Sequence, residues 1–269
     1  MSDGSAPSAL IGHTGFVGTT LTRQRQFDAT FNSSNIASID GARFGQVICC
    51  AAPAQKWRAN SEPDADRRTI DSLQEHLRSI RCEQFVLIST VDVFGSPVAV
   101  DEDTVVDDDG LHPYGLHRLL LERFVQETFA RHLVVRLPGL VGPGLRKNVV
   151  FDLLNGGSMA GVDCRSVFQF YPMVNLWPDL STALDAGLSL VHLTSAAVSV
   201  AEVAGFGFGR TFDQVTAAAP VSYDMRTRHA ALFGGVGHYQ YSRRESVQAI
   251  RAYAQSEPRS LRESGRPIV

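Results

Sequence analysis

Two stretches of this chain hold residue types at spacings that could do chemistry. The first is "LIGHTGFVGTTL", with Gly12, Gly15 and Gly18 three residues apart. A pyrophosphate site needs glycine at such positions. The first allows a tight turn, the second lets backbone approach the phosphates, and the third lets a helix pack on a strand. The free N–H groups and positive dipole end of the following helix complete the cradle. Thr14, Phe16 and Val17 lie inside this loop and count with it as candidate cofactor residues. The second stretch is "HPYGLHRLLLE", which places Tyr114 four residues before Arg118. A phenol with a pKa of about 10 is a poor base at neutral pH, so any acid/base use of Tyr114 requires a nearby cation.

These residues need rigid elements under them. "SALIG" (8–12), "DATFN" (28–32), "QVICCAA" (46–52), "QFVLIST" (84–90) and "HLVVRL" (132–137) read as strands. Between them, 16–25, 62–80 and 114–131 have helical spacing of apolar residues. Continuous Val/Ile/Leu strands alternating with helices indicate an α/β fold, a doubly wound parallel sheet of Rossmann type. The link 33–45 is too short for a crossover helix and holds at most one turn, around Ile36–Ile39. "LSLVHLTS" (188–195) reads as one more strand returning to the sheet, and 198–209 as a capped helix with a glycine-rich exit. Residues 147–187 have weak periodicity, and the last fifty are polar and read as loops. The expected organisation is a dinucleotide-binding domain over 8–145 and a smaller substrate-binding lobe over 146–256, with flexible termini at 1–7 and 257–269.

Composition excludes several classes. The charged fraction is 20% and the net charge −3, which is no electrostatic footprint for nucleic acid or an anionic membrane. No apolar run is long enough to span a bilayer, and "MSDGSAPSALIG" lacks the basic and apolar regions of a signal peptide. Cys49, Cys50, Cys82 and Cys164 lack CxxC spacing and read as reduced core thiols of a cytoplasmic protein, with no metal site expected. Cys49 and Cys50, adjacent in a strand, should face opposite ways.

Four features then line up in order: the spaced glycines, "CCAAPA" after the third strand, "ISTVDVFG" after the fourth, and "PYGLHR" opening a helix. Together they resemble the short-chain dehydrogenase/reductase superfamily, and best its extended branch, NAD-dependent epimerase/dehydratase-like enzymes acting on nucleotide-activated sugars. "VVRLPGLVGPG" (134–144) resembles that branch's Arg-x-x-Asn-x-x-Gly-Pro-Gly segment, with Gly139 in the Asn place. The likeness covers residues 8–145 well and 168–204 loosely.

By position, the resemblance makes Tyr114 the general acid/base and Thr90 the hydroxyl that bonds the substrate oxygen, with Ser89 as its fallback. Ala51, Ala52, Pro53 and Pro138 would lie along an NAD or NADP cofactor. The end of the second strand reads the adenosine ribose in such folds. Here Asn32, Ser33 and Ser34 carry no carboxylate, which leans towards NADP, while an ordinary Asx or Ser turn explains them equally. The departure is Arg118, which stands where the family has lysine. A guanidinium keeps its charge but cannot shed a proton. Three readings stay open: a site working with Arg118 in the lysine role, a reaction that needs little proton relay, or cofactor binding without turnover as a sensor or partner subunit. Val91-Asp92 stands where dehydratases carry an Asp-Glu pair, which counts against dehydration. Lys56, Trp57, Asp92, Phe168 and Tyr171 are the substrate-side candidates, a phosphate being the natural partner of Lys56. The acidic run Asp101–Asp109 reads as a solvated loop, and His117 as a helix-surface histidine. The short length favours a ketoreductase over a longer epimerase, and the resemblance implies a homodimer.

Overall fold

The computed structural model describes residues 6–259. The chain opens with β1 (Ser8–Ile11), α1 (Phe16–Gln24) and β2 (Ala29–Phe31), then a single 3₁₀ turn at Ile36–Ile39 leading to β3 (Arg43–Cys49). Next come α2 (Lys56–Ser61), α3 (Pro63–Ser79), β4 (Arg81–Thr90), a short β5 (Val98–Val100), α4 (Pro113–Thr128) and β6 (His132–Leu137). The remainder holds β7 (Gly139–Val141), α5 (Val149–Asn155), β8 (Val167–Phe168), β9 (Phe170–Pro172), α6 (Leu176–Asp185), β10 (Leu190–His192), β11 (Val198–Ser199), α7 (Val200–Glu202), β12 (Asp224–Met225) and α8 (Arg243–Ser256).

Six strands form one sheet in the order β10-β6-β4-β3-β1-β2, and every pairing in it is parallel. The strand ends are in step, with Ile11 beside both Phe31 and Cys49. The chain leaves β1 towards β2 on one side and returns as β3 on the other. The loops after β1 and β3 therefore part at that point, opening the crevice at which doubly wound sheets bind ligands.

Helices cover both faces. Ile70, Leu73 and Leu77 of α3 and Leu121, Phe124 and Val125 of α4 pack on one face with Ile11, Val47 and Phe85. Leu21 of α1 and Leu176, Leu180 and Ala183 of α6 pack on the other with Leu10, Ile48 and Val86. Each such Leu, Ile, Val or Phe side chain contributes about 1.5–3 kcal/mol by leaving water. Cys49 and Cys50 fall in opposite layers, as strand alternation requires. Burial holds the Cys49 thiol up at about 11, and all four cysteines are unpaired.

Several expectations change. The third strand starts three residues earlier than 46 and ends at Cys49, so 50–55 leaves the sheet as a loop. Residues 147–187 hold α5 and α6, and the expected polar tail holds α8. Its signals are in the sequence: a reciprocal Ser242–Glu245 capping box, then buried Val247, Ile250 and Tyr253 three residues apart. Those residues close a third core with Val150, Phe151, Phe170 and Val203. The acidic run is only partly solvated. Glu102 accepts from the His192 backbone N–H at 2.8 Å and from the Thr227 hydroxyl at 2.6 Å. Of the expected flexible termini, 1–5 and 260–269 lie outside the described residues.

Candidate active site

Gly12 takes φ +93, and its N–H donates to the Phe31 carbonyl at 2.7 Å. A Cβ there would stand 2.7 Å from the Cys50 carbonyl carbon, so the two crevice loops touch through backbone. A Cβ on Gly18 would stand 2.1 Å from the Gly12 carbonyl oxygen, which fixes how closely α1 follows β1. Gly15 differs: it is exposed, and its nearest contact would be at 3.5 Å. It caps α1 without any side-chain bond to the first-turn N–H groups, and that turn contains no acidic residue. Thr14 is exposed beside it, while Phe16 and Val17 pack inward as anchors. This cradle fits a dinucleotide phosphate on geometry and on charge.

At the end of β2, Asn32 Oδ1 accepts from Ser34 N (2.8 Å) and Ser34 Oγ (2.6 Å), and Asn35 Oδ1 accepts from Asn32 N (2.7 Å). The Asx turn that the sequence allows is therefore formed. Ser33 stays exposed. Ala51 and Ala52 pack against the first core, and Pro138 is buried at the exit of β6.

Tyr114 sits at the start of α4 and is 8% exposed. Two residues bring it to the sheet. His112 caps the helix, its Nδ1 accepting from Gly115 N at 3.0 Å. Gly115 lets the helix start rest on the β4 exit, since a Cβ there would lie 2.1 Å from the Asp92 carbonyl oxygen. This packing sets the start of α4 beside the end of β4, where Thr90 stands. Burial raises the Tyr114 pKa, the Arg118 charge opposes that rise, Asp92 adds to it, and Thr90 and Lys56 lower it. Ser89 turns to the other side of β4, where its hydroxyl donates to Glu122, so it is not available as the substrate hydroxyl. Strand alternation forces this choice between neighbours.

Arg118 lies over the Tyr114 ring, its guanidinium carbon 4.1 Å from the ring centroid. It is 3% exposed and bound as a fork to Asp66 of α3, with Nη2 to Oδ1 at 2.9 Å and Nη1 on Oδ2. Nη2 also donates to the Pro53 carbonyl. His117 is not on the helix surface as expected; it is buried, with Nδ1 2.7 Å from Asp66 Oδ2. Burial pushes the Asp66 carboxyl up, but bonds from Arg118 and His117 outweigh it and hold it below the usual range. Among the described residues, Arg118 Nε is buried without a hydrogen-bond partner.

On the substrate side, Lys56 Nζ donates to Asp92 Oδ1 at 2.7 Å, and Tyr223 OH donates to the same oxygen at 3.1 Å. Phe168 packs on Tyr223 with ring centroids 5.6 Å apart. Trp57 is 60% exposed and points away from any core. Tyr171 does not line a pocket: it is fully buried, its hydroxyl 2.5 Å from Asp179 Oδ2, because β9 turns it under the sheet. Lys147, which the motifs did not single out, donates to the Ala54 carbonyl across the crevice. It follows the glycine-proline turn after β7 and precedes Asn148, which is held at φ +123 by bonds to Leu140 O, Val150 N and Phe151 N. Asp66, Gly115, Tyr223 and Lys147 were thus missed. Only Gly115, inside the "YGLHR" stretch, carried a local signal.

Residues 23–155 match the model of the NAD dependent epimerase/dehydratase family. The match spans just under half of the chain and covers most of the Rossmann-type sheet described above. Similar solved structures include a dTDP-4-dehydrorhamnose reductase from Bacillus anthracis in complex with NADP, at 18% identity and TM-score 0.70. It aligns over 93% of this chain and 98% of its own. The corresponding reductase from Clostridium acetobutylicum gives 18% identity and TM-score 0.69, over 91% of this chain and 97% of its own. The Bordetella bronchiseptica enzyme WbmG in complex with NAD gives 14% and 0.68, over 94% and 95%. No curated protein matches the chain by sequence. No helix among the described residues is long and apolar enough to cross a membrane, and no group of three His, Cys, Asp or Glu there could hold a metal ion.

Proposed function

We propose that the chain is an NAD(P)-dependent oxidoreductase acting on a carbonyl or hydroxyl group of a nucleotide-activated sugar. The observation that carries this reading is the seating of the α4 start on the exit of β4 through Gly115, which sets Tyr114 and Thr90 at the C-terminal end of β4, on the ligand side of the sheet. The uncapped α1 start at the crevice supports a dinucleotide, and the absence of a carboxylate at Asn32–Asn35 favours NADP. Bound there, a nicotinamide cofactor supplies or accepts the hydride. Thr90 would orient the substrate oxygen, and Tyr114 would give it a proton in reduction or take one in oxidation. Arg118 would steady the ring by its cation–π contact, and the Lys56–Asp92–Tyr223 side with Phe168 would face the sugar. Solved relatives of this shape include NADP-, NADPH- and NAD-bound enzymes and complexes with UDP-glucose and UDP-glucuronic acid. A homodimer belongs to the same proposal. It would not form through an apolar stripe of α3, whose outer face carries Arg67, Arg68 and Glu75. Light scattering on the purified protein tests it.

A second reading, cofactor binding without turnover, is favoured by one observation: both Arg118 Nη atoms are taken by Asp66 and Pro53. NADPH and NADH should each be tried for thermal stabilisation, with NADPH expected to give the larger shift. No shift with either would remove both readings. Oxidation of NADPH by a 4-keto nucleotide sugar, lost in Tyr114→Phe with the thermal shift retained, supports the enzyme. Cofactor binding with no oxidation in the wild type supports the second reading.

A further inference from the structure

The whole chain has two lysines, Lys56 and Lys147, against many arginines. Both converge on the loop after β3: Lys56 begins α2 at its end, and Lys147 donates to its Ala54 carbonyl. The helix position that holds lysine in the resembling family is arginine here, and that arginine is neutralised by Asp66. Lys56, in contrast, is 38% exposed and sits on Asp92, two residues beyond Thr90. Asp92 N in turn donates to Thr90 Oγ1 at 3.2 Å.

We infer that Lys56 is a second positioning and charge-setting residue for Tyr114, acting beside Arg118. It would act through Asp92: the lysine neutralises a carboxylate that otherwise opposes ionisation of the phenol. Tyr223, from the C-terminal lobe, closes the cluster at 3.1 Å from Asp92 Oδ1 and 3.4 Å from Lys56 Nζ. The seating of that lobe is thereby tied to the charge beside Tyr114. The charged and titratable groups around the phenol then fall into sets. Arg118, His117 and Asp66 form one compensated group from α4 and α3. Lys56, Asp92 and Tyr223 form a second. His112 is depressed, by burial first and by the Lys56 charge next, and holds the helix cap. Lys147 has no carboxylate partner among the described residues. Its pKa is lowered by burial, with Asp92 opposing that and Arg118 adding to it. Burial also lowers the Lys56 ammonium, but Asp92 outweighs it, so Lys56 stays protonated at neutral pH. Its role is therefore electrostatic, with no proton passing through it.

The inference rests on the oxidoreductase reading for its purpose, but its test does not need turnover. The protein is labelled with 3-fluorotyrosine, and the six tyrosines are followed by ¹⁹F NMR against pH, with Tyr114→Phe assigning the signal. Lys56→Met should raise the Tyr114 midpoint, with a loss of phenolate at a given pH. Asp92→Asn should lower it, and the double variant should return near the wild type. Lys56→Arg, which keeps the charge, should leave it in place. Lys147→Met is the control and should move it less than Lys56→Met does. A Tyr114 midpoint unmoved by Lys56→Met or Asp92→Asn overturns the inference, as does an equal shift from Lys147→Met. If Lys56→Met does not fold, the downward shift in Asp92→Asn decides alone. Failure of NADPH and NADH to bind would remove the oxidoreductase reading without touching this titration. An unmoved midpoint in a protein that binds cofactor would remove only the inference.

Discussion

Helix α4 carries two buried charges one turn apart, and their surroundings differ. Arg118 points to the crevice side, where its fork to Asp66 touches the Tyr114 ring and the Pro53 carbonyl. Glu122 points under the sheet. It accepts from Arg136 Nη2 at 2.7 Å and Nε at 3.1 and 3.2 Å, and from Ser89. Arg136 then reaches His192 Nε2 at 3.4 Å. Nothing in the second network can meet a ligand: Glu122 is 1% exposed, and Ser89, Arg136 and His192 are buried with it. Equal burial of ions thus marks a candidate active site in one case and a structural cross-tie in the other. What separates them is whether an ionisable group of the crevice lies against the pair.

The largest effect should come from breaking the structural pair. Glu122→Gln leaves Arg136 charged and uncompensated, and should cost about 3–5 kcal/mol in urea unfolding, with a matching fall in Tm. Replacing both partners by apolar residues of similar size should recover much of that loss, which would sharpen the contrast with the crevice pair. Asp66→Asn should cost less, about 1.5–3 kcal/mol, because Arg118 keeps its bond to the Pro53 carbonyl. Unlike Glu122→Gln, it should also weaken NADPH binding or turnover beyond what its stability loss explains.

His192 provides a pH test of the buried network. Burial lowers its pKa to about 4, Glu102 opposing and Arg136 adding to the shift. The unfolded chain takes up that proton near its ordinary value of about 6.5, so stability is full above that pH and is lost as pH falls towards 4. A slope on the order of 2–3 kcal/mol across this window is expected in denaturant titrations, and His192→Gln should flatten it. Arg118→Lys should cost about 1–2 kcal/mol, since one ammonium cannot replace the fork. It should lower turnover, because Asp66 would draw the shorter cation away from the ring; a gain in turnover would break the view that the site is built around arginine. The smallest effect, under about 0.5 kcal/mol by thermal melting, is expected for Asp71→Ala, which removes only an exposed one-turn pair with Arg67.

How much was legible follows the same divide. Regular apolar runs announced β1, β4, β6 and α3 because a parallel sheet covered on both faces needs them unbroken. The second half was harder. Helices α5 and α6 are short, and β8, β9, β11 and β12 have two or three residues each, fewer than any period can reveal. At the site, Tyr114, Thr90 and the glycines stand inside motifs and could be singled out. Asp66 and Tyr223 stand in none, and they reach the site from 48 residues before and 109 residues after Tyr114 in the chain.

The residue order alone was enough for the doubly wound sheet, the tight glycine turn after β1 and the tyrosine that heads α4, since each depends on local period, glycine sterics or a neighbouring cap. Only the tertiary structure decided what Arg118 does. A guanidinium on a helix can serve any anion within its reach, and which one it meets is set by how α3 packs against α4. That packing delivers Asp66 to Arg118 and leaves the carboxylate beside Thr90 to a lysine from another helix.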